Sequence, residues 1–199
     1  MAKLIIVQGM SCLGKTTLCK EIVQNLSDSI HLSVDAYKER LWDEQGFSSE
    51  QHRENLSKQA KKEFIIDIQK LIDENNYKYI LIDYVFINDF WNTIENLINK
   101  NKDRITVCTI YLQPERLSDH KNEWERRSRD FTIRHPGHGA KAYNKDTRVG
   151  TEYINRYSQK IFLDKLPTLG NTLDINVKFR PQYKLNKNIS EIIEFIRDE

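Results

Sequence analysis

Residues Leu4 to Cys19 read LIIVQGMSCLGKTTLC, a run of aliphatics that breaks into a glycine turn ending in a lysine and two threonines. Gly9, Gly14, Lys15 and Thr16 fit the spacing G-x-x-x-x-G-K-[ST] of a phosphate-binding loop. Lys3 to Gln8 reads as a short, fully buried strand, and Leu18, Cys19, Ile22, Val23 and Leu26 then recur at helical spacing. Strand, glycine turn and helix together form a cradle for an anion. The glycines let the backbone curl with its N–H groups inward over Gly9, Met10, Ser11, Cys12, Leu13, Gly14, Lys15, Thr16 and Thr17, and the new helix adds the positive end of its dipole. Lys15 then reaches the β- and γ-phosphates, and the Thr16 hydroxyl takes a magnesium coordination position. The competing reading is an ordinary glycine-rich turn beside a surface lysine.

The chain of 199 residues is expected to form a single domain over 1–199, with one sizeable insertion. A formal charge of +2 does not announce nucleic acid or membrane as a partner, so any basic surface must be local. Three cysteines, at 12, 19 and 108, have no metal-ligand spacing, and no stretch is apolar and long enough to span a bilayer. These features lead to the expectation of a reducing, cytoplasmic setting. Cys12 lies inside the loop, where a helix N-terminus can depress a thiol pKa, although a tolerated small residue is the plainer reading.

Candidate strands are Ile30–Asp35, Tyr79–Asp83, Ile105–Leu112 and Leu173–Val177. Helical spacing joins Ala60, Phe64, Ile68, Leu71 and Ile72, then Phe90, Ile94, Leu97 and Ile98, then Tyr153, Tyr157 and Ile161. The last segment opens with Asn188 and Glu191 in a capping-box relation. Alternating strands and helices imply an α/β fold with a parallel sheet covered on both faces, and ligands then bind at the carboxyl ends of the strands. That rule singles out the loop after the first strand, Asp35 after the second and Asp83 after the third. From Pro114 to Arg148 the alternation fails, and this polar stretch is too long for a simple connection. There Arg126, Arg127, Arg129, Arg134, Lys141, Lys145 and Arg148 face only Asp130 and Asp146, which suggests a basic lid over about 114–148.

Phosphoryl transfer needs positioning, magnesium and positive charge around the moving group. Asp35 is the candidate general base, with a helix N-cap as its structural alternative and both roles compatible. Asp83 closes a hydrophobic strand where a carboxylate can bind magnesium through water, or serve a turn. Arg40, a turn after Asp35, can hold the acceptor or remain solvated. Lid arginines can grip phosphate oxygens bidentately, and Arg126 and Arg129 share a helical face that adjoins that of Arg127. His135 and His138 lack a third ligand at metal spacing, so they shape a lid turn or touch substrate.

Over most of its length the chain resembles the small P-loop kinases, the group of polynucleotide 5′-kinases, chloramphenicol phosphotransferase and zeta-toxin-like sugar-nucleotide kinases. The resemblance rests on GMSCLGKTT, SVDAYKERL, ILIDYVF and ERRSRDFTIRHPGH. It implies a three-layer P-loop kinase fold with a five-stranded parallel sheet in order 2-3-1-4-5 and an arginine-rich lid. It also implies ATP with Mg2+ as donor, Lys15 and Thr16 in the loop, Asp35 as base, and one or more of Arg126, Arg127 and Arg129 in the lid. The purine of such kinases rests near the lid and the loop after the last strand, here KFRPQYK, which makes Arg180 and Pro181 candidates. Tyr84, Val85 and Phe86 depart from the small polar residues of some relatives, so the acceptor pocket should be more apolar than a nucleic-acid channel.

The leading expectation is therefore an ATP-dependent kinase for a hydroxyl on a small molecule, with no membrane partner and no indication of oligomeric state. A polynucleotide 5′-hydroxyl kinase is the alternative enzyme, distinguished by acceptor binding that falls steeply with salt. A non-catalytic nucleotide-binding switch is the alternative outside enzymes, and Asp35, Asp83 and the lid arginines stand against it.

Overall fold

A computed structural model describes residues 1–129, 135, 137–138, 162, 164–179 and 182–198. The aliphatic run at the start forms β1 (Ala2–Gly9), buried on both faces and therefore central. It lies parallel to β3 (Tyr79–Asp83) on one side and to β4 (Ile105–Pro114) on the other. β2 (Ser29–Ser33) flanks β3, and β5 (Asn171–Lys178) flanks β4, also in parallel. These five strands stand in the order 2-3-1-4-5 that the family resemblance implies.

The sheet nonetheless has a sixth member. β6 (Lys184–Leu185) pairs antiparallel with β5, so the sheet is mixed rather than all-parallel. Two residues are too few to carry a periodic signal. The turn is tied instead by Asn186, whose side-chain oxygen accepts from the Asn176 amide at 2.8 Å while its own amide donates to the Asn176 carbonyl at 3.1 Å.

Alternation along β1 sends Ile5 and Val7 to one face, where they meet Leu18, Cys19 and Ile22 of α1 (Lys15–Asn25) and Ile192 and Ile196 of α6 (Ile189–Asp198). Leu4 and Ile6 face the other way, against Phe64, Ile68 and Ile72 of α3 (Glu50–Glu74) and Phe90, Ile94 and Leu97 of α4 (Asn88–Lys100). Helices thus cover both faces of the sheet. A smaller cluster joins Trp42 of α2 (Val34–Gln45) to Phe47 and Leu56. The α6 capping box is present in both directions: the Asn188 amide donates to Glu191 at 2.8 Å, and the Glu191 amide to Asn188 at 2.9 Å.

One boundary differs from the sequence reading. β2 ends at Ser33, and Asp35 lies in the first turn of α2, where a carboxylate complements the helix dipole. The helix through Tyr153, Tyr157 and Ile161 lies outside the described residues. α5 (Leu117–Arg129) occupies the first part of the 114–148 stretch. Among the described residues, no helix is long and apolar enough to cross a membrane.

Register brings the strand ends together. Val7 stands opposite Asp83, Ser33 opposite Asp83, and Gly9 opposite Leu112, so the loop after β1, the end of β3 and the start of α2 share one edge of the sheet.

Candidate active site

The loop after β1 turns on two glycines. Gly9 has φ +140°, and a Cβ there would stand 2.3 Å from the Leu112 carbonyl oxygen. Gly14 has φ +82°, and a Cβ would meet the Tyr183 hydroxyl at the same 2.3 Å. Both a left-handed backbone and close approach therefore demand glycine. Gly9→Ala is expected to cost about 2 kcal/mol or more of stability, read as a lower urea midpoint. An unchanged midpoint would contradict the packing of this loop on β4.

Other residues brace the loop from outside. Gln8, buried within β1, accepts from the Phe86 amide at 3.0 Å and donates to the Phe86 carbonyl at 2.9 Å, which fixes the segment after β3 against the loop. His120 of α5 lies with Nε2 2.7 Å from the Ser11 carbonyl, and burial lowers its pKa. The Tyr183 hydroxyl donates to the Leu13 carbonyl at 3.0 Å, and burial pushes its pKa up to about 12. It remains a neutral donor.

Lys15, at the start of α1, is buried and turns into the loop, donating to the carbonyls of Met10 at 2.7 Å and Gly9 at 3.0 Å. Burial lowers its pKa, opposed by Asp83 and Asp35. The neighbouring Thr16 hydroxyl donates to Asp83 at 2.7 Å. The other Asp83 oxygen lies 2.6 Å from His31 Nε2, across the β2–β3 pairing. Asp83 is thus held from two sides.

Thr16 and Asp83 offer hard oxygen donors beside the glycine loop, a donor set that fits Mg2+. Cys19 Sγ, His31 Nε2 and an Asp83 oxygen also lie within 4.8 Å of one another. Burial and Asp83 push the Cys19 pKa well up, so it stays a neutral thiol next to that oxygen pair.

Asp35 accepts from Lys38 at 3.1 Å, and Lys38 donates in turn to the Tyr84 hydroxyl at 2.5 Å. Burial raises the Asp35 pKa, but Lys38, His138 and Lys15 outweigh it and hold the carboxyl well below its usual range. Burial likewise works against the Lys38 charge, and Asp35 and Tyr84 more than compensate, leaving its pKa raised. The two groups form a stable charge pair, with 48% of the Asp35 side chain still exposed.

The arginines separate. Arg126 is exposed and grips Glu123 through Nε at 2.9 Å and Nη2 at 2.8 Å. Arg127 shares Glu123 at 2.6 Å, is more covered, and acts electrostatically on both His120 and Tyr183 beside the loop. Arg129 closes α5, but its side chain lies outside the described residues, as do Arg180 and Pro181. Arg40 is exposed and pairs with Glu44 and Glu63. His135 and His138 sit against α2, 3.0 Å from Asp43 and 2.8 Å from Glu39, with both rings packed on Trp42.

Sequence reasoning missed Gln8, His31, Lys38, His120 and Tyr183. Only Lys38 carried a signal, since it lies three residues after Asp35 and so on the same helical face.

No protein-family model matches the sequence, and no curated protein matches it. Solved structures do. A provisionally named kinase from Chloroflexus aurantiacus aligns with TM-score 0.70 and 20% identity over 99% of this chain and 97% of that one. A sugar kinase from Janibacter sp. aligns at 0.52 and 12% identity, covering 98% of this chain and 92% of that one. The tunicamycin resistance protein of Deinococcus radiodurans aligns at 0.51 and 15% identity, covering 100% and 95%. At these identities the likeness is one of fold. The chain has the fold of the P-loop kinases.

Proposed function

We propose that the protein is a magnesium-dependent kinase that transfers the γ-phosphoryl group of ATP to a hydroxyl of a small molecule. The observation that carries this reading is the 2.7 Å contact of Thr16 with Asp83 beside the buried Lys15, on the sheet edge that also holds Asp35. A nucleotide store or switch needs the cradle alone. The Asp35–Lys38–Tyr84 group beside it adds a half-exposed carboxylate for which a second substrate would supply a use beyond the helix start.

In this reading the loop amides and Lys15 hold the triphosphate, with Lys15 exchanging its carbonyl partners for phosphate oxygens. Thr16 and Asp83 would hold the metal, which would supply charge neutralisation at the phosphate oxygens. Asp35 receives the acceptor proton. His120 and Tyr183 keep the loop in shape without touching the reaction. The similar folds include one sugar kinase, which agrees with a small alcohol as acceptor. Three cysteines, an odd number without metal-ligand spacing, agree with a cytoplasmic setting.

We further read residues 1–199 as one kinase domain, with about 114–148 as its lid. Arg127, Arg126 and Arg129 are the candidates to meet phosphate, and Arg127 is favoured because its charge is felt by His120 and Tyr183 beside the loop. Closure over both substrates would exclude water from the transfer. ATP with Mg2+ is then expected to slow proteolysis within 114–148. Cleavage there at an unchanged rate would count against a closing lid.

The direct test is incubation with γ-labelled ATP, Mg2+ and pooled metabolites and oligonucleotides. Label in a small alcohol supports the reading. Label confined to oligonucleotide 5′ ends, or ATP binding without transfer to any acceptor, overturns it.

A further inference from the structure

Behind Asp35 lies a second lysine that the proposed chemistry does not use. Lys61, on α3, is half-buried with Nζ 4.8 Å from the Phe90 ring centroid and 5.7 Å from that of Tyr84. Lys38 Nζ approaches the same Tyr84 ring at 4.1 Å. Two ammonium groups therefore converge on one aromatic side chain at the end of β3.

Their counter-charge is incomplete. Asp35 is the carboxylate of this group, and it already pairs with Lys38. The other acids of α2 and α3 on this side are engaged elsewhere: Glu39 with His138, Glu63 with Arg40, and Asp67 with the Tyr37 hydroxyl. Among the described residues Lys61 has no carboxylate partner, and the charges that reach it are Lys38 and Asp35. Burial and the Lys38 charge lower its pKa, a cost that a bound anion would reverse. Cation–π contact offsets part of that cost but supplies no hydrogen-bond acceptor to the ammonium.

We propose that the acceptor carries a compact anionic group, a carboxylate or a phosphate ester, seated between Lys38 and Lys61 over the Tyr84 ring. This deepens the kinase reading and rests on it for the word acceptor. Asp35 bonds Lys38 at 3.1 Å and opens α2 on the same strand-end edge as the loop, so it adjoins both the cradle and the anion seat. A molecule with its hydroxyl at Asp35 and its charge at Lys61 is oriented by both ends. The partly exposed ring of Tyr84, backed by the buried rings of Phe86 and Phe90, faces the carbon atoms between them.

The test has two parts. Lysine side-chain NMR of the full chain, with the cradle filled by ADP and Mg2+, follows the Lys61 signal, assigned by its loss in Lys61→Met. Inorganic phosphate and glycolate, added separately, are expected to shift that signal saturably, whereas sodium chloride is not. Whichever probe binds more tightly identifies phosphate ester or carboxylate as the preferred group. A signal unmoved by both at millimolar levels, or moved equally by chloride, overturns the anion seat.

In the second part, γ-labelled ATP is offered to neutral alcohols, hydroxy acids and sugar phosphates. Label should enter the anionic pools. Lys61→Met should then raise KM for the labelled acceptor roughly tenfold to a hundredfold, the loss expected for a hydrogen bond to a charged partner, and Lys61→Arg should restore part of it. Label in neutral alcohols alone, or a KM within twofold of wild type, overturns the proposal. Saturable anion binding with no acceptor of any charge labelled would instead leave the seat intact and remove the kinase reading.

Discussion

Lys15→Ala is expected to lower phosphoryl transfer by at least about 10³-fold without weakening the fold. The first part follows from position: Lys15 is a buried ammonium at the start of α1, surrounded by loop carbonyls, where its charge is little screened. Phosphate oxygens gain negative charge that carbonyls cannot match, so the residue is worth more to the reaction than to the resting protein. The second part follows from cost. Burial works against the charged form, and alanine removes that desolvation while leaving two carbonyls able to bond water. Transfer of label from γ-labelled ATP, measured beside a urea titration, separates the two effects. Transfer within tenfold of wild type would remove Lys15 from the chemistry, and a collapsed urea midpoint would show it to be a structural residue.

Asp35→Asn is expected to lower turnover by ~10²–10⁴ with ATP affinity retained. Asparagine keeps an oxygen for Lys38 but cannot take a proton. Because Lys38, His138 and Lys15 outweigh burial, Asp35 is ionised throughout the working pH range and is a weaker base than a free carboxylate. It fits a loose transition state, in which the acceptor proton becomes acidic only as the new bond forms. The sign of the pH dependence follows. A depressed pKa moves any loss of activity from Asp35 protonation below the usual carboxylate range, so activity should not fall between pH 7 and pH 5 on its account. An acid limb centred near pH 5 that disappears in the Asn variant would contradict the Lys38 pairing. Turnover equal to wild type would remove Asp35 from the mechanism.

Local patterns made much of this structure readable. Tyr79–Asp83 is a strand with the expected bounds, because five buried residues in a row leave no other solution in a parallel sheet. The strand, glycine turn and helix over Ala2–Asn25 were legible because their geometry depends on residues adjacent in sequence. What escaped depends on distant partners. Lys38 looks like a solvated helix residue until Tyr84, 46 positions later, closes over it. His31 lies in an ordinary strand pattern, and only β2–β3 pairing brings it to Asp83. Gln8 hides in an aliphatic run because its hydrogen bonds to Phe86 make its burial tolerable. The Asp35 boundary slipped for a different reason. Val34 continues the apolar strand pattern yet is the first residue of α2, and β-branched residues serve either state when buried.

The hydrogen bond from Tyr183 to Leu13 joins positions 170 residues apart and packs directly over Gly14. During synthesis, the amino-terminal strand and turn leave the ribosome long before the tyrosine that completes their outer wall. On the kinase reading, the loop would thus gain its outer wall late: a partly translated polypeptide has the glycines and the lysine but lacks both the tyrosine and the core residues of α6.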